Sequence, residues 1–96
     1  MDNIALRKYA EQVIINQSSP EERSSKVAFF GRLWECGLVN KQRILKAAIN
    51  HYYEQKLKDN QGHAMNSIYD TCNHFEVSIS TVKNTIYHYR NVVFRF

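Results

Sequence analysis

Apolar residues recur along this chain at three- and four-residue intervals, the spacing of one buried helical face. The first run, from about Asn3 to Asn16, carries Leu6, Ala10, Val13 and Ile14. A second holds Val27, Phe30, Leu33 and Trp34, and a third Leu45, Ala48, Ile49, Tyr52 and Leu57. A fourth follows with Met65, Ile68, Cys72 and Phe75, and a fifth with Ile79, Val82, Ile86, Tyr89 and Val93. The spacing predicts five helices, the fifth running through residue 91.

Local signals mark the ends of these helices. In Ser18-Ser19-Pro20-Glu21-Glu22, Ser19 can cap, Pro20 suits the first helical position and Glu22 sits where a capping box puts its carboxylate. Gly37 is a natural left-handed stop for the second helix, and Asn40 a cap for the third. The stretch Lys58-Asp59-Asn60-Gln61-Gly62 ends the third helix and forms the expected hinge. Ser78 caps the fifth. With one Pro and three Gly in the whole chain, long helices are favoured over many short strands. The expected architecture is all-α: one domain over 1–96, with an N-terminal helical part over 1–60 and two helices joined by a tight turn over 63–91. Residues 92–96, Val-Val-Phe-Arg-Phe, are too apolar to hang in water. They either extend the last helix, which puts Val93 on its core stripe, or form a short strand.

On the wheel of the fifth helix, Ser80, Asn84, Tyr87 and Asn91 lie opposite the apolar stripe, flanked by Thr81, Lys83 and His88. That face carries no carboxylate to repel a phosphate backbone. The segment Val77-Ser78-Ile79-Ser80-Thr81-Val82-Lys83-Asn84-Thr85-Ile86 resembles the turn and recognition helix of helix-turn-helix transcription regulators. Its Ser-x-x-Thr-Val-Lys-Asn-x-Ile run is most similar to the LuxR-type and sigma-factor region 4 branch. Ile68 to Cys72 matches the first helix of that motif, with Cys72 where the family has a small residue at the helix crossing. The resemblance covers Ile68 to Arg90 and nothing else of the chain. Glu76 departs from it, standing where these proteins usually have Gly. The backbone there either accepts a left-handed residue at a cost or takes a different turn.

The resemblance implies double-stranded DNA as the partner, with the fifth helix in the major groove. Ser80, Thr81, Lys83, Asn84, Tyr87, His88 and Arg90 are then the candidate contacts. Asn84 is the candidate base reader, because an amide can pair bidentately with adenine. Lys83 and Arg90 suit phosphates, which give affinity without sequence choice.

Charge changes the picture by its location. Residues 1–35 carry five basic and five acidic groups, while the rest of the chain has eight basic against four acidic. The net charge of +4 therefore arises entirely in the part that holds the motif, where it favours polyanions by steering and counterion release. Lys41, Arg43 and Lys46 crowd the start of the third helix, against its dipole. That arrangement suggests phosphate contacts beside the groove, set against a plain solvated face.

Phe29, Phe30, Trp34, Tyr52 and Tyr53 make the middle of the chain unusually aromatic. Both members of an adjacent pair cannot share one narrow stripe, so part of this surface is expected to face a partner. A homodimer formed by the N-terminal helices is the expectation, since DNA readers of this type pair over half-sites. The competing reading is a protein-protein interaction module that docks through the aromatic surface. RNA binding is less well supported, because the aromatic sheet and glycine loop of common RNA modules are not visible.

Catalytic and metal chemistry find little footing. Cys36 and Cys72 form no Cys-x-x-Cys pair, His51, His63, His74 and His88 no His-x-x-x-His pair, and no phosphate loop, nucleophile elbow or paired carboxylates occur. No enzyme activity, metal or cofactor is expected, and Cys36 is read as a buried thiol. No apolar run approaches the roughly 20 residues that cross a bilayer, and the start lacks the features of a signal peptide. The expected location is the cytoplasm, with both thiols reduced.

Overall fold

The computed structural model describes residues 1–94. Arg95 and Phe96, the end of the apolar tail, lie outside the described residues. Five helices form: α1 (Asn3–Gln17), α2 (Arg23–Glu35), α3 (Lys41–Asp59), α4 (Ala64–Phe75) and α5 (Ile79–His88). The longest, α3, is the hub. It packs against α1, α4 and α5, while α2 lies on α1 and α5 on α4. The core joins Leu6, Ala10, Val13 and Ile14 of α1 to Phe30, Ala48, Ile49, Ile68, Phe75, Val82 and Ile86. No helix of the described residues is long and apolar enough to cross a membrane.

The ends follow the expected local chemistry, with one variation. Asn40 accepts the Arg43 N–H at 3.1 Å and Ser78 the Thr81 N–H at 3.1 Å, so both cap as read. Asp2 does the same for α1, accepting from Ala5. Gly37, at φ +72°, closes α2 through the Leu38 N–H to the Leu33 carbonyl, the αL termination that glycine favours. At the start of α2 the capping box does not form. The Ser19 carbonyl takes the N–H groups of both Glu22 and Arg23, and the Ser19 hydroxyl donates to the Glu22 carboxylate at 2.7 Å. Pro20 to Glu22 make a tight turn ahead of the helix proper.

Several burial expectations are corrected. Met65 is 43% exposed, and the inner face of α4 is instead Ser67, Ile68, Thr71, Cys72 and Phe75. Its hydroxyls are satisfied: Ser67 donates to the His63 carbonyl at 2.8 Å and accepts from the Asn60 amide at 3.3 Å, and Thr71 donates to the Ser67 carbonyl at 2.7 Å. Helical hydroxyls that bond back one turn can be buried at little polar cost. In the same way Thr85, bonded to the Thr81 carbonyl, joins Val82 and Ile86 inside, while Ile79 and Tyr89 remain substantially exposed. Cys36 is exposed rather than buried. In the aromatic pairs, Phe30 and Tyr53 enter the core while Phe29 is exposed and Tyr52 half-buried.

The fifth helix stops at His88, three residues before the expected end at 91. Beyond a turn at Arg90 and Asn91 the chain is irregular, and Val92 and Phe94 are buried while Val93 points out. That alternation is an extended register, so neither the helical continuation nor Val93 in the core survives. The reason is Asn50 of α3. Its side-chain amide donates to the Tyr89 carbonyl at 2.8 Å and the Val92 carbonyl at 2.9 Å, taking up groups that a continued helix would have bonded internally.

Candidate nucleic-acid interface

Three residues, Glu76, Val77 and Ser78, join α4 to α5. Glu76 takes the left-handed conformation, φ 56° and ψ 44°, and the Val77 N–H reaches back to the Cys72 carbonyl at 3.1 Å. Of the two turns open to this position, the chain adopts the left-handed one without glycine. The cost is about 1–2 kcal/mol for a residue with a Cβ. Phe75, fully buried in an aromatic nest of Tyr9, Tyr52 and His74, holds the end of α4 in place.

Val82, Thr85 and Ile86 anchor α5, and the opposite side is open. Ser80, Thr81, Asn84, Tyr87 and His88 are exposed together on that face, and Tyr87 is 66% accessible. Lys83 is half-buried at its edge, without an ion-pair partner among the described residues. The Thr81 hydroxyl is engaged at the helix start, 2.9 Å from the Ser78 hydroxyl. No acidic residue occurs from Val77 onward. The face is polar, weakly basic and unobstructed.

Arg90 is placed differently. It lies beyond the helix, pairs with Glu54 of α3 and stacks its guanidinium over the Tyr53 ring at 5.2 Å. It reaches a phosphate only by releasing Glu54. The basic start of α3 is likewise partly committed: Lys41 sits over the Trp34 ring at 5.4 Å and Lys46 over Tyr89 at 4.4 Å. Lys46 is thereby beside the end of α5, whereas Lys41 faces α2. Arg43 is exposed and borders a depression of about 290 Å³ with Val92, Val93 and Phe94.

The residues that set the end of this face escaped the sequence reading. Asn50, Tyr53 and Glu54 share one side of α3 and hold Tyr89, Arg90 and Val92. The available signal was a single Asn following the apolar run Ala47-Ala48-Ile49.

His51 and His74 are engaged structurally. The Tyr9 hydroxyl and His51 Nδ1 are 2.8 Å apart, and burial holds the His51 imidazole below its usual value while pushing the Tyr9 hydroxyl up. His74 stacks on Tyr52 with rings 4.2 Å apart and nearly parallel. Burial first, then the Lys56 ammonium and the amino terminus, lower its pKa. Among the described residues no three His, Cys, Asp or Glu side chains converge to hold a metal ion.

No protein-family model, curated protein or solved structure matches this chain.

Proposed function

We propose that the chain is a small sequence-specific DNA-binding protein, a non-enzymatic transcriptional regulator of the cytoplasm that lays α5 in the major groove. What carries this reading is the α5 surface: Ser80, Asn84, Tyr87 and His88 exposed on one side of a short helix, with no carboxylate from Val77 onward. Further support comes from the similarity of Val77 to Ile86 to recognition segments, and from the positive charge gathered outside residues 1–35.

In this reading Asn84 reads a base edge, an adenine by preference. Ser80 and Thr81 at the start of the helix reach phosphates or base edges, and Tyr87 and His88 contact the groove further along. Lys83 neutralises a phosphate. Arg43 and Lys46 approach the flanking backbone, Lys41 lies furthest from α5, and Arg90 joins by exchanging Glu54 for phosphate. Duplex-DNA titration at stepped salt tests this assignment.

A protein-protein adaptor is the second reading. It is favoured by the exposure of Ile4, Phe29 and Leu38, all on the helices away from α5 or the loop that follows them. An adaptor of this kind would bind a protein through that surface and leave DNA untouched.

A further inference from the structure

The outer edge of α1 carries Ile4, Lys8, Glu11 and Ile15 at four- and three-residue spacing, one line along the helix. Ile4 is 71% exposed and Lys8 is exposed, while Glu11 and Ile15 are half-exposed. At each end of this line the seam with α2 opens into a depression. One, of about 360 Å³, lies beside Ile4, Lys8, Glu11 and Trp34. The other, of about 450 Å³, lies between Ile15, Arg23, Ser24, Val27 and Ala28, with a mostly apolar wall. Between them Arg7 lies across Gly31 and joins Glu11 at 2.9 Å to Glu35 at 3.4 Å.

We infer that a second copy of this chain docks on this edge, antiparallel, with α1 against α1. A two-fold axis running between the two α1 helices, perpendicular to them and level with the Tyr9–Ala10 peptide, places Ile4 opposite Ile15 and Lys8 opposite Glu11 of the second copy. Each apolar end then meets the other apolar end, and each Lys8 meets a Glu11 of the second copy. Ile4 fills the depression beside Ile15, and Ile15 the depression beside Trp34. This is the self-complementarity an isologous contact requires. Charge selects the same occupant. Residues 1–35 are neutral, so this face meets its own copy without net repulsion, whereas the remainder of the chain, with eight basic and four acidic groups, repels itself. α5 makes no contact with α1, and the inference stands independently of what the exposed face of α5 binds.

The test is sedimentation equilibrium of the whole chain without DNA, at concentrations on the order of tens of micromolar. Lys8→Glu alone and Glu11→Lys alone each place like charges opposite one another and weaken the dimer by about tenfold or more. Lys8→Glu/Glu11→Lys together restore opposite charges across the contact and recover most of the affinity lost in Lys8→Glu, short of wild type because Glu11→Lys also removes the Arg7–Glu11 pair within each copy. Ile4→Glu abolishes the dimer and leaves the circular dichroism of the folded chain unchanged, because its side chain is in solvent in the single copy; its melting temperature loses the concentration dependence that the wild-type dimer shows. A monomer at these concentrations overturns the inference, as does a dimer indifferent to Ile4→Glu or not restored by the charge exchange. Lys83→Ala/Asn84→Ala, on a helix that makes no contact with α1, leaves self-association as it is.

Discussion

Asn50 and Tyr89, 39 residues apart, are joined by a 2.8 Å hydrogen bond from the Asn50 amide to the Tyr89 carbonyl. The same amide holds Val92. One buried side chain on α3 therefore decides where α5 ends and where the following strand of chain lies. The arrangement has a cost: the Asn50 Oδ1 is buried with no hydrogen-bond partner among the described residues.

Asn50→Ala removes both donors; the Val92 carbonyl loses its partner, while the Tyr89 carbonyl keeps the Val92 N–H at 3.0 Å. The expected loss is about 1–3 kcal/mol, the scale for one buried group left unpaired. Asn50→Asp costs more, since a carboxylate would face two carbonyl oxygens. Urea unfolding followed by circular dichroism checks the order wild type, Asn50→Ala, Asn50→Asp from most to least stable.

Glu76→Gly relieves the left-handed strain of the turn and is expected to stabilise the fold by about 1 kcal/mol. Glu76→Val, with branching at Cβ, is expected to destabilise it. Thermal melts of both variants in one buffer read the effect.

The tail is expected to obey a parity rule. Val92→Lys and Phe94→Lys bury a charge and unfold or severely destabilise the protein, while Val93→Lys changes stability by no more than about 0.5 kcal/mol. A helical tail would give the opposite pattern, with Val93→Lys the damaging change.

How much of this was legible differs by element. Asn40, Ser78 and Gly37 act locally, through bonds spanning three to five residues, so their roles could be read along the chain. The inner face of α4 could not be read from apolar spacing alone. Ser67 and Thr71 count as polar in a sequence, yet each satisfies its hydroxyl on its own helix and packs inside, and Met65 is left outside. The tail and Arg90 depend on Asn50 and Glu54, far away in sequence, and no local pattern announces such a pairing. The outer face of α5 was legible because it is one side of a single helix. Its end was not, because α3 sets it.

Acid is expected to weaken the fold through its imidazoles. His51 and His74 have pKa values below their ordinary 6.5 in the folded chain, His51 through burial and His74 through burial, Lys56 and the amino terminus. The unfolded chain therefore binds protons first as pH falls. The stability they confer is whole above the unfolded value and declines as pH drops below 6.5 toward the folded values. Melting temperature should fall on going from about pH 7.5 to 5.5, a range centred on the usual histidine pKa. The fall should be smaller in His51→Gln/His74→Gln, and an identical slope in that variant would remove the histidines from the account.

On the DNA itself, Asn84→Ala is expected to narrow the gap between a selected site and random sequence by about 1–3 kcal/mol. Lys83→Ala should weaken both alike and flatten the salt slope by about one unit. Competition titrations on the two duplexes separate these effects, and equal loss on both for Asn84→Ala would exclude base reading by that residue.

The most direct test of the central claim is fluorescence anisotropy of mixed-sequence duplex DNA with the purified chain, with salt stepped from about 50 to 200 mM. A DNA-facing α5 gives binding that weakens steeply with salt and is lost in Lys83→Ala/Asn84→Ala, whose circular dichroism matches wild type. No binding at the lowest salt, or binding unchanged in that variant, contradicts a DNA-facing α5.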